Sequence, residues 1–118
     1  MHETSIAFGL LQSLTSLADK ENAKKITKVR VKIGKLSGIV IDSFVFAFDA
    51  LKGDFPKLKD TELIVEEVPI RYRCNSCKTE FETDSIYFPE CMKCQSIDLT
   101  LVSGEELEVV DVEIEVGK

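Results

Sequence analysis

The chain has 118 residues, enough for one hydrophobic core but not for several. Lysine and arginine total 15 against 21 aspartates and glutamates, a formal charge of -6, which argues against a nucleic-acid backbone as the main partner. Hydrophobic residues make up 44 %, but no run approaches the roughly 18 apolar residues that a membrane-spanning helix needs.

Residues 1–3 concentrate nitrogen donors. The only histidine of the chain is His2. It adjoins the amino group of Met1 and the amides of His2 and Glu3. Residues 4–21 then predict a helix. Ile6, Leu10, Leu14 and Leu17 recur at steps of three and four, and Ala7, Leu11 and Ala18 widen the stripe. Thr4 or Ser5 is placed to cap the first amides, and Glu3 sits at the positive end of the helix dipole. His2 therefore falls just outside the first turn. Residues 22–25 read as a polar link.

Residues 26–33 alternate as a half-solvated strand, with Val29, Val31 and Ile33 on one face and Lys28, Arg30 and Lys32 on the other. GKLSG, residues 34–38, is a turn. Asp42 is placed to cap a second helix of about ten residues, with Phe44, Val45, Phe48 and Leu51 on its buried side. Phe46 lies off that stripe, and Gly53 and Pro56 mark the exit.

TELIVEEVPI, residues 61–70, predicts another strand. Pro69 puts its end at an edge or at the point of leaving the sheet. Residues 105–116 read as a third strand with an irregular pattern. Val110, Val112, Ile114 and Val116 share one parity, while Leu107 and Val109 have the other. A bulge near Val109 and Val110 would bring both sets to one face. Its carboxylates read first as the wet face of the sheet, and Glu113 and Glu115 would also guard an edge. The fold expected is α/β: a three-stranded sheet with two helices, carrying an inserted zinc-ribbon-like domain. Residues 1–70 with 99–118 form the α/β body, and 71–98 the insert. The strand order is not readable from the pattern.

The insert has too few apolar residues to fold without a metal. Its motifs are CNSC, with Cys74 and Cys77, and CMKC, with Cys91 and Cys94. Each CxxC turn brings two thiolates to one ion, and two such turns complete a tetrahedron. Zinc is the first reading; an iron–sulfur cluster or a redox dithiol comes next, and disulfides last. The start MHETSIAFGLLQSL lacks the basic segment and continuous apolar run of a signal peptide, so a cytoplasmic protein is expected. In that compartment paired cysteines are metal ligands before they are disulfides. Four sulfurs leave zinc no open position for water, which makes the site structural rather than hydrolytic.

The bland reading of His2 is an exposed terminal side chain with no role. The chemical reading is a chelate. An amine with a pKa near 8 and an imidazole near 6.5 both offer lone pairs close to neutral pH. The Met1 amine, the His2 amide nitrogen and the His2 imidazole can close adjacent rings on one ion. Glu3 could add its amide nitrogen or a carboxylate oxygen. Divalent nickel and copper suit such nitrogen-rich tetragonal sites better than zinc does. A site built on a chain end is little preorganised and should release its metal readily.

These residues together resemble a known family. The MHE start, VRVKIGKLSGI at 29–39, FVFAF at 44–48, the CNSC and CMKC pair and the tail SGEELEVVDVEIE are similar to the HypA-type hydrogenase nickel-incorporation proteins, with the related HybF. The resemblance covers essentially the whole chain. It implies that His2 is a nickel ligand, with Glu3 and the nearby backbone nitrogens, including Met1, completing the set. It implies structural Zn(II) at Cys74, Cys77, Cys91 and Cys94, and transported Ni(II) at the N-terminus. It further implies a metallochaperone that works with a HypB-type GTPase and docks on the NiFe hydrogenase large subunit precursor; some members also feed urease. A weak homodimer is compatible with this reading. Two departures stand out. Thr4 replaces a common methionine, and CMKCQS lacks the inner proline and the glycine of a CPxCGS knuckle, which would loosen that turn.

The rival reading is a zinc-ribbon adaptor for nucleic acid or protein, without nickel transfer. Arg71, Arg73, Lys78 and Lys93 give it a faint basic cluster, diluted by Glu80, Glu82, Asp84, Glu90 and Asp98. An enzyme is not expected: no nucleophile is paired with a base, and no glycine-rich phosphate loop is present.

Overall fold

The computed structural model describes residues 2–117. Helix α1, Glu3–Lys20, buries Ala7, Leu11, Leu14 and Ala18, with Ile6 and Leu10 at the margin of the core. Neither Thr4 nor Ser5 caps it. The helix starts one residue earlier than its side-chain pattern suggests, so the N-cap is His2, with no side-chain hydrogen bond at the cap. The His2 carbonyl accepts from the Ile6 amide at 3.0 Å. The chain then reverses at Asn22, whose φ is 55°.

Strand β1, Ala23–Gly34, is the centre of the first sheet, and it takes in most of the segment 22–25 read as a link, because Ala23 is already paired with Val116. Ile26, Val29, Val31 and Ile33 are buried against the helices. On the other face Lys24, Lys28 and Arg30 lie 3.6, 3.9 and 3.5 Å from Glu115, Glu113 and Asp111. Such exposed pairs are worth under about 1 kcal/mol each, so they favour this register more than they stabilise it.

Helix α2, Ile41–Leu51, buries Phe44, Ala47 and Phe48. Each phenylalanine contributes roughly 1.5–3 kcal/mol by leaving water. Its N-cap is Val40; Asp42 lies inside the first turn and makes no cap bond. A single 3-10 turn, Lys52–Asp54, leads to strand β2, Glu62–Val68, which runs parallel to β1. Before it, Thr61 is fully buried and satisfied: its hydroxyl donates to the Ile26 carbonyl at 2.7 Å.

Pro69 ends β2, and the chain leaves the first sheet. Strands β3 (Ile70–Cys74), β4 (Glu80–Thr83) and β5 (Leu99–Ser103) form a second antiparallel sheet in the order β4-β3-β5. By hydrogen bonding, β5 belongs to this cysteine-bearing sheet. Strand β6, Leu107–Val116, returns to complete the first sheet in the order β2-β1-β6. Arg30 faces Asp111 while Val31 faces Val109, so Val110 is the extra residue of a bulge. The bulge aligns Leu107, Val109 and Val112 opposite Ile33, Val31 and Val29, which resolves the mixed parity of this segment, and a second register shift at Thr27 brings Ile26 opposite Ile114.

The two sheets meet in a backbone clasp. The Gly34 amide donates to the Glu106 carbonyl at 2.8 Å, Lys35 to Val68 at 3.0 Å and Leu36 to Gly104 at 2.6 Å. Ser103 Oγ donates to the Pro69 carbonyl at 2.8 Å, and Lys35 Nζ meets Asp84 at 2.9 Å. A β-carbon on Gly34 would fall on the Gly104 carbonyl, so only glycine permits this approach. Among the described residues, no helix is long and apolar enough to cross a membrane.

Candidate metal centres

The two CxxC motifs form equivalent knuckles. In the first, the Lys78 amide donates to the Cys74 carbonyl at 2.9 Å and the Cys74 amide to the Thr79 carbonyl at 2.8 Å. In the second, Gln95 donates to Cys91 and Cys91 to Ser96, both at 2.8 Å. Each turn closes with a residue in the left-handed region, Lys78 at φ 66° and Gln95 at φ 61°. Gln95 stands where the family pattern has glycine, so the sequence departure falls on the position that most favours glycine. Ser76 Oγ lies 3.0 Å from Ser96 Oγ, and Asn75 Nδ2 donates to Asp98 Oδ1 at 3.1 Å, tying one knuckle to the other.

The four sulfurs lie within 4.8 Å of one another. Cys74 and Cys94 are 3.6 Å apart, as are Cys77 and Cys91. Tetrahedral zinc with bonds of about 2.3 Å places sulfurs about 3.8 Å apart, so the cluster fits such an ion closely. Sulfurs at these separations are not bonded to each other. The insert core is otherwise small: Cys74, Phe81 and Cys91 are buried, with Tyr72, Cys77 and Leu99 packed around them.

The surroundings ionise the sulfurs unequally. The Thr79 hydroxyl, 3.3 Å from Cys77 Sγ, and then the Thr79 amide hold the Cys77 thiol down at about 6. The Cys77 amide leads in lowering Cys74. At Cys94 the Ser96 amide pulls downward, but the Cys74 sulfur, burial and the two remaining sulfurs push the thiol up to about 12. The last proton is thus held by the other sulfurs, and a bound cation is what lets all four ionise together.

At the other site, His2 is exposed and Glu3 is half-buried beside it. Met1 lies outside the described residues. The first amides of α1 have no acceptor within the helix. The Glu3 carboxylate is committed elsewhere: its Oε2 accepts the Val40 amide at 3.1 Å. That contact, then its own amide, lowers the Glu3 pKa. Val40 is the N-cap of α2, so Glu3 ties the starts of both helices together. Sequence reasoning named His2 and Glu3 as candidate ligands and gave no hint of Val40, which contacts Glu3 through its backbone and leaves no side-chain signal. Thr79 was also missed; a hydroxyl two residues after Cys77 was its one visible hint.

Residues 1–114 match the family model described as hydrogenase/urease nickel incorporation, metallochaperone, hypA. The hydrogenase maturation factor HypA of Geobacter metallireducens is 38 % identical over 116 residues, covering 98 % of this chain and 100 % of that protein. Its counterpart in Wolinella succinogenes is 36 % identical over 115 residues, covering 98 % and 96 %. The solution structure of the Ni metallochaperone HypA from Helicobacter pylori superposes with a TM-score of 0.68 at 27 % identity, covering 99 % of this chain and 100 % of that one. A second solution structure of a HypA protein gives a TM-score of 0.72 at 27 % identity, covering 99 % and 98 %.

Proposed function

Because the chain belongs to the HypA family, and is thus a nickel metallochaperone of hydrogenase maturation rather than an enzyme, we propose that residues 1–3 carry its Ni(II). The donors are the Met1 amine, the His2 amide nitrogen, the His2 imidazole and the Glu3 amide nitrogen. The observation that carries this set is the Glu3–Val40 contact. With one carboxylate oxygen held at the start of the other helix, Glu3 is read as offering nickel its backbone nitrogen. Amides at a helix start can deprotonate onto a metal without breaking a helical hydrogen bond. Two such amidates make the nickel complex electrically neutral, and reprotonation of an amide or the amine opens the chelate for release.

The four cysteines, Cys74, Cys77, Cys91 and Cys94, would hold Zn(II), with no open position for chemistry. When bound, the ion supplies the folding energy that the small insert core lacks. Working in the cytoplasm, the chain receives nickel with or from a HypB-type GTPase. It then docks on the NiFe hydrogenase large subunit precursor, whose thiolates compete for the ion.

The test is nickel titration of the untagged protein at pH 7. His2→Ala should abolish tight binding while zinc content and circular dichroism stay unchanged. Glu3→Gln, which keeps the backbone nitrogen, should keep the nickel spectrum. A residue added before Met1 should weaken binding. Unchanged nickel affinity in His2→Ala would remove the N-terminal assignment.

A further inference from the structure

A cleft of about 430 Å³ opens directly beside Glu3. It is lined by Glu3 and Thr4 of α1 and by Asp42, Phe46, Ala50 and Leu51 of α2. Phe46 is 75 % exposed, on the outer face of a helix whose other phenylalanines, Phe44 and Phe48, are buried. Asp42, Phe46 and Ala50 recur every four residues, so carboxylate, ring and small residue lie in line along α2. Among the described residues no lysine or arginine forms an ion pair with Glu3 or Asp42. The basic residue closest along this helix, Lys52, lies 3.4 Å from Asp49 and donates to the Thr61 carbonyl at 3.0 Å. The ring stands outside the core, and among the described residues no lysine or arginine neutralises the charge beside it.

We propose that this cleft is a docking socket for a partner protein that inserts an arginine or lysine next to an apolar residue. The alkyl stem of such a side chain lies along the Phe46 ring and the Ala50 methyl, and its cationic head reaches Asp42. Cation and ring attract through the ring quadrupole, and the carboxylate adds an ion pair that strengthens as docking excludes water. A second copy of this chain is the poorer occupant, since its acidic balance makes like charges meet. The position gives the socket its use: a partner seated there brings its own metal donors alongside residues 1–3. This use rests on the reading of residues 1–3 as the nickel terminus; the socket chemistry itself does not.

The experiment measures association of the zinc-loaded full chain with two purified proteins, the partner GTPase and the hydrogenase large subunit precursor. Phe46→Ala and Asp42→Asn should each weaken binding to at least one of them by about tenfold, as expected for truncating an anchor contact. Asp49→Asn, on the same helix outside the cleft, should leave it unchanged. Ala50→Arg, which fills the socket with its own cation, should block the same partner. Both side chains are exposed, so thermal melting should match the parent. Loss in Phe46→Ala without loss in Asp42→Asn would overturn the cationic partner, and parent-like binding of both variants to both proteins would overturn the socket. Nickel titration of the same samples separates the two readings: failure of the parent to bind nickel sinks the terminal site, while the association arm judges the socket alone.

Discussion

Substituting Gly34 by alanine tests whether the clasp between the sheets is a rigid joint. The new β-carbon would overlap the Gly104 carbonyl, which is backbone and cannot swing aside. Strand β1 or the 104–106 segment has to move by an ångström or more. The bonds Gly34–Glu106 at 2.8 Å and Leu36–Gly104 at 2.6 Å then lengthen beyond use, and Lys35–Val68 at 3.0 Å is strained with them. At about 0.5–1.5 kcal/mol per bond, two or three losses cost about 1–4 kcal/mol, localised at the joint. For a chain of this size that lowers the melting temperature by roughly 4–15 °C. Amide hydrogen exchange should speed up at Gly34 and Leu36 first. If Gly34→Ala melts within about 1 °C of the parent and protects both amides equally, the close approach does not hold the sheets together, and the reasoning fails.

Gln95→Gly should stabilise the second knuckle. It relieves roughly 1–2 kcal/mol of left-handed strain and costs about 0.4–1 kcal/mol in unfolded-chain entropy, for a net gain of up to about 1.6 kcal/mol, read as slower zinc loss to a chelator. Chelation of zinc should release four reactive thiols and remove amide protection at Tyr72 and Phe81, while Val29 and Val31 in the first sheet stay protected. The Glu3–Val40 contact should be pH-dependent in one direction. A lowered carboxylate pKa means the contact is complete above the ordinary value near 4.3 and is lost as pH falls through the lower folded value. The Val40 amide shift should therefore titrate below that value; a midpoint at or above it would contradict the contact.

Much of the first sheet was legible because one buried face imposes a period of two. Lys28, Arg30 and Lys32 against Val29, Val31 and Ile33 fixed β1, and the clash of parities between Val109 and Val110 located the bulge before any pairing was known. The helix starts were less legible. Thr4, Ser5 and Asp42 are good capping types, yet the first cap is His2 and the second helix is met by a carboxylate that lies 37 positions away. Capping preference is local, and a bond across that separation depends on how α1 and α2 pack. The short strands β3, β4 and β5 gave little pattern to read, and the partner of Leu99–Ser103 is a matter of tertiary pairing. The four cysteines were readable from spacing alone, because ligand geometry leaves few arrangements open. Glu3 was named as a candidate ligand, and a preference for its amide over its carboxylate as the donor could be argued only once Val40 was seen beside it.

The order of the strands also bears on how the molecule withstands losing its metal. Strand β6 comes after the second sheet in sequence but belongs to the first, so residues 69–106 form a closed loop between β2 and β6. Were that loop to melt, its ends would still be held by β1 on either side. Relative to a turn of about five residues, a loop of this length is about three doublings longer and costs only about 2 kcal/mol more to close. The apolar pairs from Ile33–Leu107 to Ile26–Ile114 face a penalty that grows only logarithmically with the length between them. The chain end proposed to carry nickel is thus built on a sheet whose closure costs little more with the insert disordered than with a short turn in its place.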